Sequence, residues 1–312
     1  MNSTNQTMIE GFRLKGLSDV PELQLFIFLL VFFIYFICIG GNLTIILLVS
    51  VDRHLHTPMY FFLSNLSAID IVSTTTVLHR NLIIYVTQNH LVSTSACLTQ
   101  LYIFSALTTN GLSILAAMSY DRYVAICRPL HYCNIMSRNL CALLASVSWG
   151  LGFLAAIPTL VITSKFTCYI SKEIDHYFCD VLPILDITCS DTTALNRYIL
   201  VFGSMDMIIS LSLTITPYVF IISCILRIQT SAGRHKAFYT CSSHIIVVVM
   251  LYSSMVLQYV VTGCGSNMGA NKFFSLFNTA IAPMMNPLIY SLKNKDVKSA
   301  LRRKLKLCRI KY

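Results

Sequence analysis

The chain has 312 residues, of which 55% are hydrophobic and only 12% are charged. A soluble domain normally carries about 25% charged residues, so this composition excludes an ordinary soluble enzyme, a disordered chain and a collagen-like fibre. The net charge of +10 would suit a nucleic-acid-binding protein, but the cations flank apolar segments, where membrane topology accounts for them. We therefore expect a multi-pass membrane protein without a nucleic-acid partner.

Seven apolar segments are long enough to cross the hydrocarbon core of a bilayer, which takes about 20 residues of helix. They predict an all-α membrane protein in which seven transmembrane helices form one bundle. The segment before the first span is polar and lacks the short apolar core of a signal peptide, so we expect the first span to direct its own insertion. The predicted division is an N-terminal segment 1–24, a bundle 25–292 and a tail 293–312, with spans at about 25–50, 58–80, 97–125, 140–163, 197–226, 237–262 and 272–292.

Seven spans place the two termini on opposite sides of the membrane. With the C-terminus in the cytoplasm, the cytoplasmic side carries 16 Lys and Arg residues and the other side carries 7, which agrees with the positive-inside rule. Two glycosylation sequons begin at Asn2 and Asn5 and also favour an N-terminus outside the cell. We therefore predict a plasma-membrane protein with an extracellular N-terminus that is glycosylated at Asn2 and Asn5.

Four of the 12 cysteines lie on the outer side of this topology, where the environment is oxidising. Cys97, Cys168, Cys179 and Cys189 form an even set that allows three pairings, and Cys264 would be left over. The other cysteines lie in spans or on the cytoplasmic side and are expected to be free thiols: Cys38, Cys127, Cys133, Cys141, Cys224, Cys241 and Cys308.

Two carboxylates lie inside the spans, where a charge is costly. Asp70 lies midway along span two, at a depth similar to that of Asn42 and Asn286. These residues form a predicted polar core, which either joins the helices by hydrogen bonds or holds a cation, a water cluster or a proton. Asp206 in span five would meet a polar ligand or a neighbouring side chain. The sequence lacks a His/Glu metal helix, a P-loop and a Ser/His/Asp set, so it predicts neither an enzyme, a cofactor nor a metal site.

The end of span three reads MSYDRYVAICRPLHY at 118–132. Its Asp121-Arg122-Tyr123 core resembles the rhodopsin-like (class A) G-protein-coupled receptors, and its longer form resembles the odorant receptors. The resemblance extends from about residue 10 to residue 300, and it implies a seven-helix receptor with a short amphipathic eighth helix. Five further islands occur in the order and spacing of that family: GN at 41–42, LHTPMYFFLSNLSAID at 55–70, EIDHYFCDVLPILDITCSD at 173–191, KAFYTCSSH at 236–244 and PMMNPLIYSLKN at 283–294.

By this resemblance, eight residues belong to a switch that couples ligand binding to a G protein. Arg122 is a permanent cation at the end of span three, which pairs with Asp121 at rest and is released on activation. Pro287 removes a helix hydrogen bond and bends span seven. The full set is Asp121, Arg122, Tyr123, Tyr218, His244, Asn286, Pro287 and Tyr290.

The same resemblance implies two disulfides, Cys97–Cys179 and Cys168–Cys189. They would fold the outer loop of about 164–196 into a lid over the bundle. The run from His176 to Asp180 has a second interpretation as a metal site, which the use of Cys179 in a disulfide disfavours.

The tail segment KNKDVKSALRRKLKLC, residues 293–308, follows span seven. Val297, Leu301 and Leu305 recur every four residues among cations, which is typical of an amphipathic helix on the anionic inner leaflet. Cys308 is either a palmitoylation site or an ordinary thiol.

Seven helices with an outer lid and no enzyme site predict an enclosed cavity for a small molecule, and the resemblance places it between spans three, five, six and seven. The lining is mostly apolar, with hydroxyl groups, one carboxylate and no inward cation, which favours a neutral or weakly polar odorant over an acid. Gly111 stands where most odorant receptors carry Glu, which weakens the case for a cation at Asp70. The predicted lining is Phe104, Ser105, Thr108, Thr109, Phe202, Gly203, Asp206, Tyr252, Met255, Tyr259, Leu276 and Thr279.

The resemblance further implies that the odorant activates the olfactory stimulatory G protein and raises cyclic AMP in the cilia of olfactory sensory neurons. Other functions stay open. A related receptor for amines would use Asp206 as counter-ion. A transporter or channel is disfavoured because no span holds an interior Lys or Arg and no internal repeat is apparent. The same mechanism outside the nose, with another ligand, is a further alternative.

Overall fold

The computed structural model describes residues 11–18, 20–258, 268–293 and 295–310. Over these residues the chain is a bundle of long helices, closed at one end by a loop and three short strands. The predicted glycosylation sites Asn2 and Asn5, and also Tyr259 and Cys264, lie outside the described residues. In chain order the elements are β1 (Gly11–Leu14), α1 (Pro21–Val51), α2 (Pro58–Thr74), α3 (Arg80–Thr87), β2 (Leu91–Ser93), α4 (Thr94–Cys127), α5 (Tyr132–Ile135), α6 (Arg138–Thr163), β3 (Glu173–Ile174), α7 (Val181–Ile187), α8 (Thr193–Tyr198), α9 (Ser204–Leu226), α10 (Ser231–Val256), α11 (Met268–Leu276), α12 (Ala282–Lys293) and α13 (Lys295–Ile310).

Six helical paths in the described part of the chain are long and apolar enough to cross a membrane: Pro21–Val51, Pro58–Thr87, Thr94–Cys127, Arg138–Thr163, Thr193–Leu226 and Ser231–Val256. We number them spans one to six. Span seven consists of α11 and α12, which a π-helical turn at Phe277–Ile281 joins. Similar turns at Thr75–His79 and Ile199–Gly203 join α2 to α3 and α8 to α9. The predicted seven-helix architecture is therefore present.

The helices begin where the sequence supplies suitable residues. Pro21 and Pro58 occupy the first turns of α1 and α2, where the fixed φ of proline suits a helix and its missing N–H costs no hydrogen bond. Ser93 and Ser137 cap α4 and α6, because their hydroxyls accept from the backbone N–H groups of residues 96 and 140. Such caps satisfy N–H groups that the helix itself leaves unpaired.

Span three lies at the centre of the bundle, where α4 packs against α2, α6, α9 and α10. The interior holds a large apolar cluster built around Phe62, Leu115 and Tyr290. The outward faces expose large apolar side chains such as Phe26 and Ile208. An exposed apolar surface of this extent is what the hydrocarbon of a bilayer requires.

A small three-stranded sheet covers one end of the bundle, which we call the lid end; the opposite end is the α13 end. β1 lies in the middle, with Phe12 opposite Val92 of antiparallel β2 and Arg13 opposite Glu173 of parallel β3. Phe12 and Leu14 are fully buried against the loop before span five. The sequence did not predict this sheet, because its strands have two to four residues and their partners are far apart along the chain.

One disulfide ties the lid to the bundle, and a second closes the lid loop on itself. Cys97 at the start of α4 is bonded to Cys179, and Cys168 is bonded to Cys189 within the same loop. Both are pairings that the family resemblance implies. The expectation that Cys127 and Cys224 are free thiols needs correction, because the structure joins their sulfur atoms between α4 and α9, with 5.9 Å between the Cα atoms. These residues are 97 positions apart, and no local pattern indicates that they are neighbours.

The eighth helix, α13, is amphipathic and packs against the loop after α1. Val297 and Ala300 are buried, whereas Leu301 is exposed. Arg303 donates from Nε and Nη2 to Oδ2 of Asp52, at 3.2 and 2.7 Å. This bond, together with donation from His54, holds the pKa of Asp52 well below its usual range.

Candidate ligand cavity and coupling switch

An internal cavity of about 70 Å³ lies between spans two, three, six and seven. A buried water needs about 10–15 Å³ on this measure, so the space holds roughly five waters, and a larger molecule requires the wall to adjust. Most of the wall is apolar. Polar side chains lie at its two ends: Gln258 and Asn278 toward the lid, and Asp70, Ser73 and Asn286 at the deep end.

The lid closes the shallow end of the cavity with aromatic side chains. The phenol of Tyr177 is hydrogen-bonded to the hydroxyl of Thr279 at 2.9 Å. The ring of Phe178 packs edge-on against Phe104, with 5.1 Å between the ring centroids. The amide of Gln100 accepts from the backbone N–H of residue 179 at 2.8 Å. These contacts join the lid to spans three and seven directly above the cavity.

Charged and titratable side chains of the lid lie near Tyr177 and Phe178. Lys272 of α11 donates to Oδ1 of Asp175 at 2.8 Å, and this bond lowers the pKa of Asp175. Burial raises the pKa of Asp180 to about 6, although donation from the N–H of Val181 opposes the shift. Burial also lowers the pKa of His176 to about 3, and the charge of Lys272 contributes. His176 is therefore neutral at physiological pH.

The lid does not provide a metal site around His176. Cys179 is consumed by its bond to Cys97, and Nδ1 of His176 accepts from the backbone N–H of Phe178. In the described ranges, no group of three or more His, Cys, Asp or Glu side chains is placed to hold a metal ion.

Three of the predicted ligand contacts, Phe104, Thr108 and Met255, line the cavity. Thr279 is held by Tyr177, and Leu276 packs in the apolar cluster beneath the lid. Ser105, Thr109, Tyr252, Leu276 and Thr279 are absent from the described lining. Spans two and seven supply much of the wall, which places the cavity nearer to span two than the sequence predicted.

Span five does not reach the cavity. Phe202 is 56% exposed on the outer surface of the bundle, and Gly203 is exposed beside it. Asp206 accepts a hydrogen bond from Thr109 at 3.3 Å, and Tyr252 is bonded to Thr214 at 3.2 Å. These bonds join spans three and six to span five, and Phe202 and Gly203 lie outside the described lining, unlike their predicted placement.

The predicted polar core is assembled at the deep end of the cavity. Asn286 donates to Oδ2 of Asp70 at 2.8 Å, which links spans two and seven. Asn42 donates to the carbonyl oxygens of Cys38 and Pro283, at 3.0 and 3.1 Å. Asp70 and Asn286 also border the cavity, so this network lies between the cavity and the backbone of span seven.

A second group of predicted residues lies at the α13 end. Arg122 donates from Nε to Oδ2 of Asp121 at 3.0 Å, and Tyr132 donates to Oδ1 of the same carboxylate at 2.7 Å. Asp121 is fully buried, and its two oxygens therefore hold both the end of span three and the following loop. Tyr123 packs against Phe220 of span five, with 5.8 Å between the ring centroids.

Spans five and six are joined near the same end. The phenol of Tyr218 is hydrogen-bonded to Nδ1 of His244. Tyr290 is fully buried nearby in the core, and its hydroxyl has no hydrogen-bond partner in the described structure. Pro287 lies against Gly41, where an added Cβ would come within 2.9 Å of the proline ring. The predicted switch residues thus include three hydrogen-bonded sites, at Asp121, His244 and Asn286, and the tight contact of Pro287 with Gly41.

Comparison with known proteins agrees with this arrangement. Residues 31–307 match a family profile described as "Olfactory receptor". The chain is 44% identical to human olfactory receptor 6C3, over 96% of each chain. It is 40% identical to mouse olfactory receptor 8U3, over 98% of this chain and 96% of the relative.

The chain belongs to the olfactory receptor family. It is therefore a signalling receptor of the G-protein-coupled class and not an enzyme. Squid rhodopsin has the same fold, with a TM-score of 0.73 over 93% of this receptor and 88% of rhodopsin at 17% sequence identity. The predicted seven-helix class A fold and the predicted family are both confirmed.

Sequence reasoning missed the polar end of the receptor's cavity beneath the lid. Gln258, Asn278 and Asp180 come from span six, span seven and the lid loop, and no local motif connects them. The available signal was the presence of two amides, Gln258 and Asn278, among the apolar residues of spans six and seven. Amides in membrane spans need hydrogen-bond partners, and they therefore indicate a polar site.

Proposed function

We propose that this olfactory receptor binds a small neutral or weakly polar organic odorant in the cavity between spans two, three, six and seven. Binding then activates the olfactory stimulatory G protein, which raises cyclic AMP. The observation that carries the proposal is the cavity itself, which is mostly apolar and capped by the lid, and whose described lining contains no Lys or Arg. Apolar burial contributes about 0.8 kcal/mol for each CH₂ group, so affinity for an odorant should be modest after association costs.

The proposed topology places the lid end outside the cell and the α13 end in the cytoplasm. The excess of Lys and Arg at the α13 end supports this orientation. The two lid disulfides support it as well, because stable disulfides form in oxidising environments. The proposed location is the plasma membrane of the cilia of olfactory sensory neurons, with Asn2 and Asn5 glycosylated outside.

Ligand acts in this proposal by shifting a pre-existing equilibrium. In the structure Arg122 is paired with Asp121, and Tyr218 is bonded to His244. An odorant that binds more tightly to a state in which these bonds are open raises the population of that state. A ligand with equal affinity for both states would produce no signal.

An amine receptor that uses Asp206 as counter-ion is the second candidate. Asp206 is the carboxylate of span five, but it accepts from Thr109 and does not border the described cavity. This placement favours a structural role over ligand contact. A strong response to amines that Asp206→Asn abolishes would reverse the preference.

The test measures cyclic AMP in cells that express the receptor, across a panel balanced between esters, ketones, aldehydes, alcohols, amines and acids. We expect neutral odorants to give dose-dependent signals that Arg122→Ala removes at matched surface expression. Deletion of the stimulatory G protein from the host cells should remove the signal too, and its return should restore it. Short fatty acids as the best agonists, or a ligand-gated current without a G protein, would contradict the proposal.

A further inference from the structure

A row of hydrogen-bonded polar side chains crosses the lid end of the cavity and has no part in the function proposed above. The row runs from the lid carboxylate Asp180 through Gln258 of span six to Asn278 and Ser254. Gln258 donates from Nε2 to Oδ2 of Asp180 at 3.3 Å and to Ser275 at 2.9 Å. Asn278 donates from Nδ2 to Oε1 of Gln258 at 2.6 Å, and Ser254 donates to Oδ1 of Asn278.

The carboxylate at one end of the row fixes the orientation of both amides. Asp180 is buried and, when ionised, only accepts hydrogen bonds, so Gln258 must turn its NH₂ group toward it. The carbonyl oxygen of Gln258 then faces span seven. Asn278 must in turn present an N–H to that oxygen, which leaves its own oxygen for Ser254. The direction of each amide therefore follows from the charge of Asp180.

This orientation leaves one hydrogen-bond donor for a ligand. The amide of Asn278 has two hydrogens, and one of them is bonded to Gln258. No other described side chain or backbone oxygen accepts from Asn278. The side chain is only half-buried by the protein and borders the cavity. Its second N–H is the donor available at this end of the cavity, above a wall that includes Phe104, Leu107, Leu251 and Met255.

We propose that Asn278 contacts the odorant and donates a hydrogen bond to the carbonyl oxygen of a neutral aldehyde, ketone or ester, with Gln258 and Asp180 as positioning residues. The proposal rests on the proposed function and names the ligand class that this cavity takes. The hydrocarbon part of the odorant lies against the apolar wall, and its oxygen points toward the lid.

The same row disfavours other polar ligands. A carboxylic acid would bring a second negative charge close to Asp180, which ionises with a pKa of about 6 and is charged at neutral pH. At the deep end it would meet Asp70. An alcohol must also place its own hydrogen on an acceptor, and the oxygens of Gln258 and Asn278 each already accept one bond, which leaves a single lone pair on each. A carbonyl needs only a donor.

The experiment compares six-carbon probes that differ in one group: butyl methyl ketone, hexanal, hexanol, hexanoic acid and hexane. Each is applied to the parent receptor and to Asn278→Leu, a substitution of similar size, at matched surface expression. We expect the ketone and the aldehyde to be the most potent probes. A neutral hydrogen bond is worth roughly a two- to tenfold change in equilibrium, so Asn278→Leu should raise their half-effective concentrations by about that factor and leave hexanol and hexane unchanged.

A second pair of variants separates positioning from packing. Gln258→Met should weaken the response to the ketone in the parent and have no further effect in the Asn278→Leu background, because it acts only through Asn278. Asn81→Leu, at a buried asparagine outside the cavity, is the matched control and should leave the order of the probes unchanged.

Several outcomes would overturn the inference. Equal losses for all probes in Asn278→Leu would show a general effect on the receptor, and hexanoic acid as the best agonist would show the wrong ligand class. Additive effects of Gln258→Met and Asn278→Leu would show that Gln258 does not act through Asn278. Silence of the carbonyl probes while other panel odorants raise cyclic AMP would contradict this inference alone. Silence of the entire balanced panel would count against the proposed function instead.

Discussion

Asn110 of span three and Gly152 of span four lie in close contact. A Cβ atom added to Gly152 would come within 1.8 Å of Oδ1 of Asn110 and within 2.5 Å of a backbone oxygen at residue 106. Both side-chain polar atoms of Asn110 are buried without a hydrogen-bond partner in the described structure. Because the second obstacle is backbone, a rotation of Asn110 does not make room, and the helices must separate.

We therefore expect Gly152→Ala to destabilise the receptor. Overpacking of a close contact typically costs about 1–3 kcal/mol, which should appear as lower surface expression and a lower melting temperature in detergent. Gly150→Ala is the matched control, since nothing lies within 4 Å of its added Cβ. Alanine is favoured over glycine in a helix by roughly 1 kcal/mol, so the control should be neutral or slightly stabilising. Equal behaviour of the two variants would refute the packing argument.

Cys127 and Cys224 connect α4 to α9 near the α13 end of the bundle. Their bond joins the last turn of α4 to α9, near the contact between Tyr123 and Phe220. In the proposed topology this end lies in the reducing cytosol, which can open the disulfide of the structure to a pair of thiols. The placement of the two cysteines thus makes them a pair that an oxidant can close.

A membrane-permeant diazene oxidant such as diamide should close the bond in cells. Two thiols lose two electrons and two protons to the diazene, which becomes a hydrazine, and the new S–S bond then restrains span five. We expect the odorant-evoked cyclic AMP signal to fall after oxidation of the parent receptor and to recover with a thiol reductant. Cys224→Ser should keep its signal under both treatments. A loss of signal in Cys224→Ser as large as in the parent would place the effect elsewhere.

The lid is held to span seven by the ion pair of Lys272 and Asp175. The pair lowers the pKa of Asp175, so its contribution is fully present above the usual aspartate value of about 3.9 and is lost only as pH falls through the lowered pKa. Lys272→Met should therefore loosen the lid equally at pH 7.5 and pH 5.5. The measurement is the rate of odorant dissociation, read as decay of the signal after washout. Faster decay at one pH only would implicate a different group.

At the scale of the whole molecule, the length of the apolar segments accounts for most of the fold that could be predicted from the sequence. Runs of about 20 apolar residues fix the seven spans because a bilayer leaves the backbone few alternatives. The sheet around Phe12 escaped prediction because its pairing depends on contacts between distant segments. The bond between Cys127 and Cys224 was not predicted for the same reason. The family resemblance assigned Phe202 and Gly203 to the cavity, and no local pattern in the sequence shows that they lie exposed in a π-helical turn at Ile199–Gly203.

The orientation of the whole bundle gives the last prediction. If the lid end faces the outside, the sequons at Asn2 and Asn5 enter the compartment in which glycans are attached. The receptor from mammalian cells should then migrate as a glycosylated band that glycosidase treatment shifts downward. Asn2→Gln combined with Asn5→Gln should remove the shift, whereas the same change at Asn42 should not alter the band, because that sequon lies inside span one.

An epitope tag before residue 1 should bind antibody in intact cells, and a tag after the C-terminus should bind only after permeabilisation. The reverse staining pattern would show that the bundle has the opposite orientation. The lid disulfides would then lie in the cytosol, whose reducing conditions disfavour them.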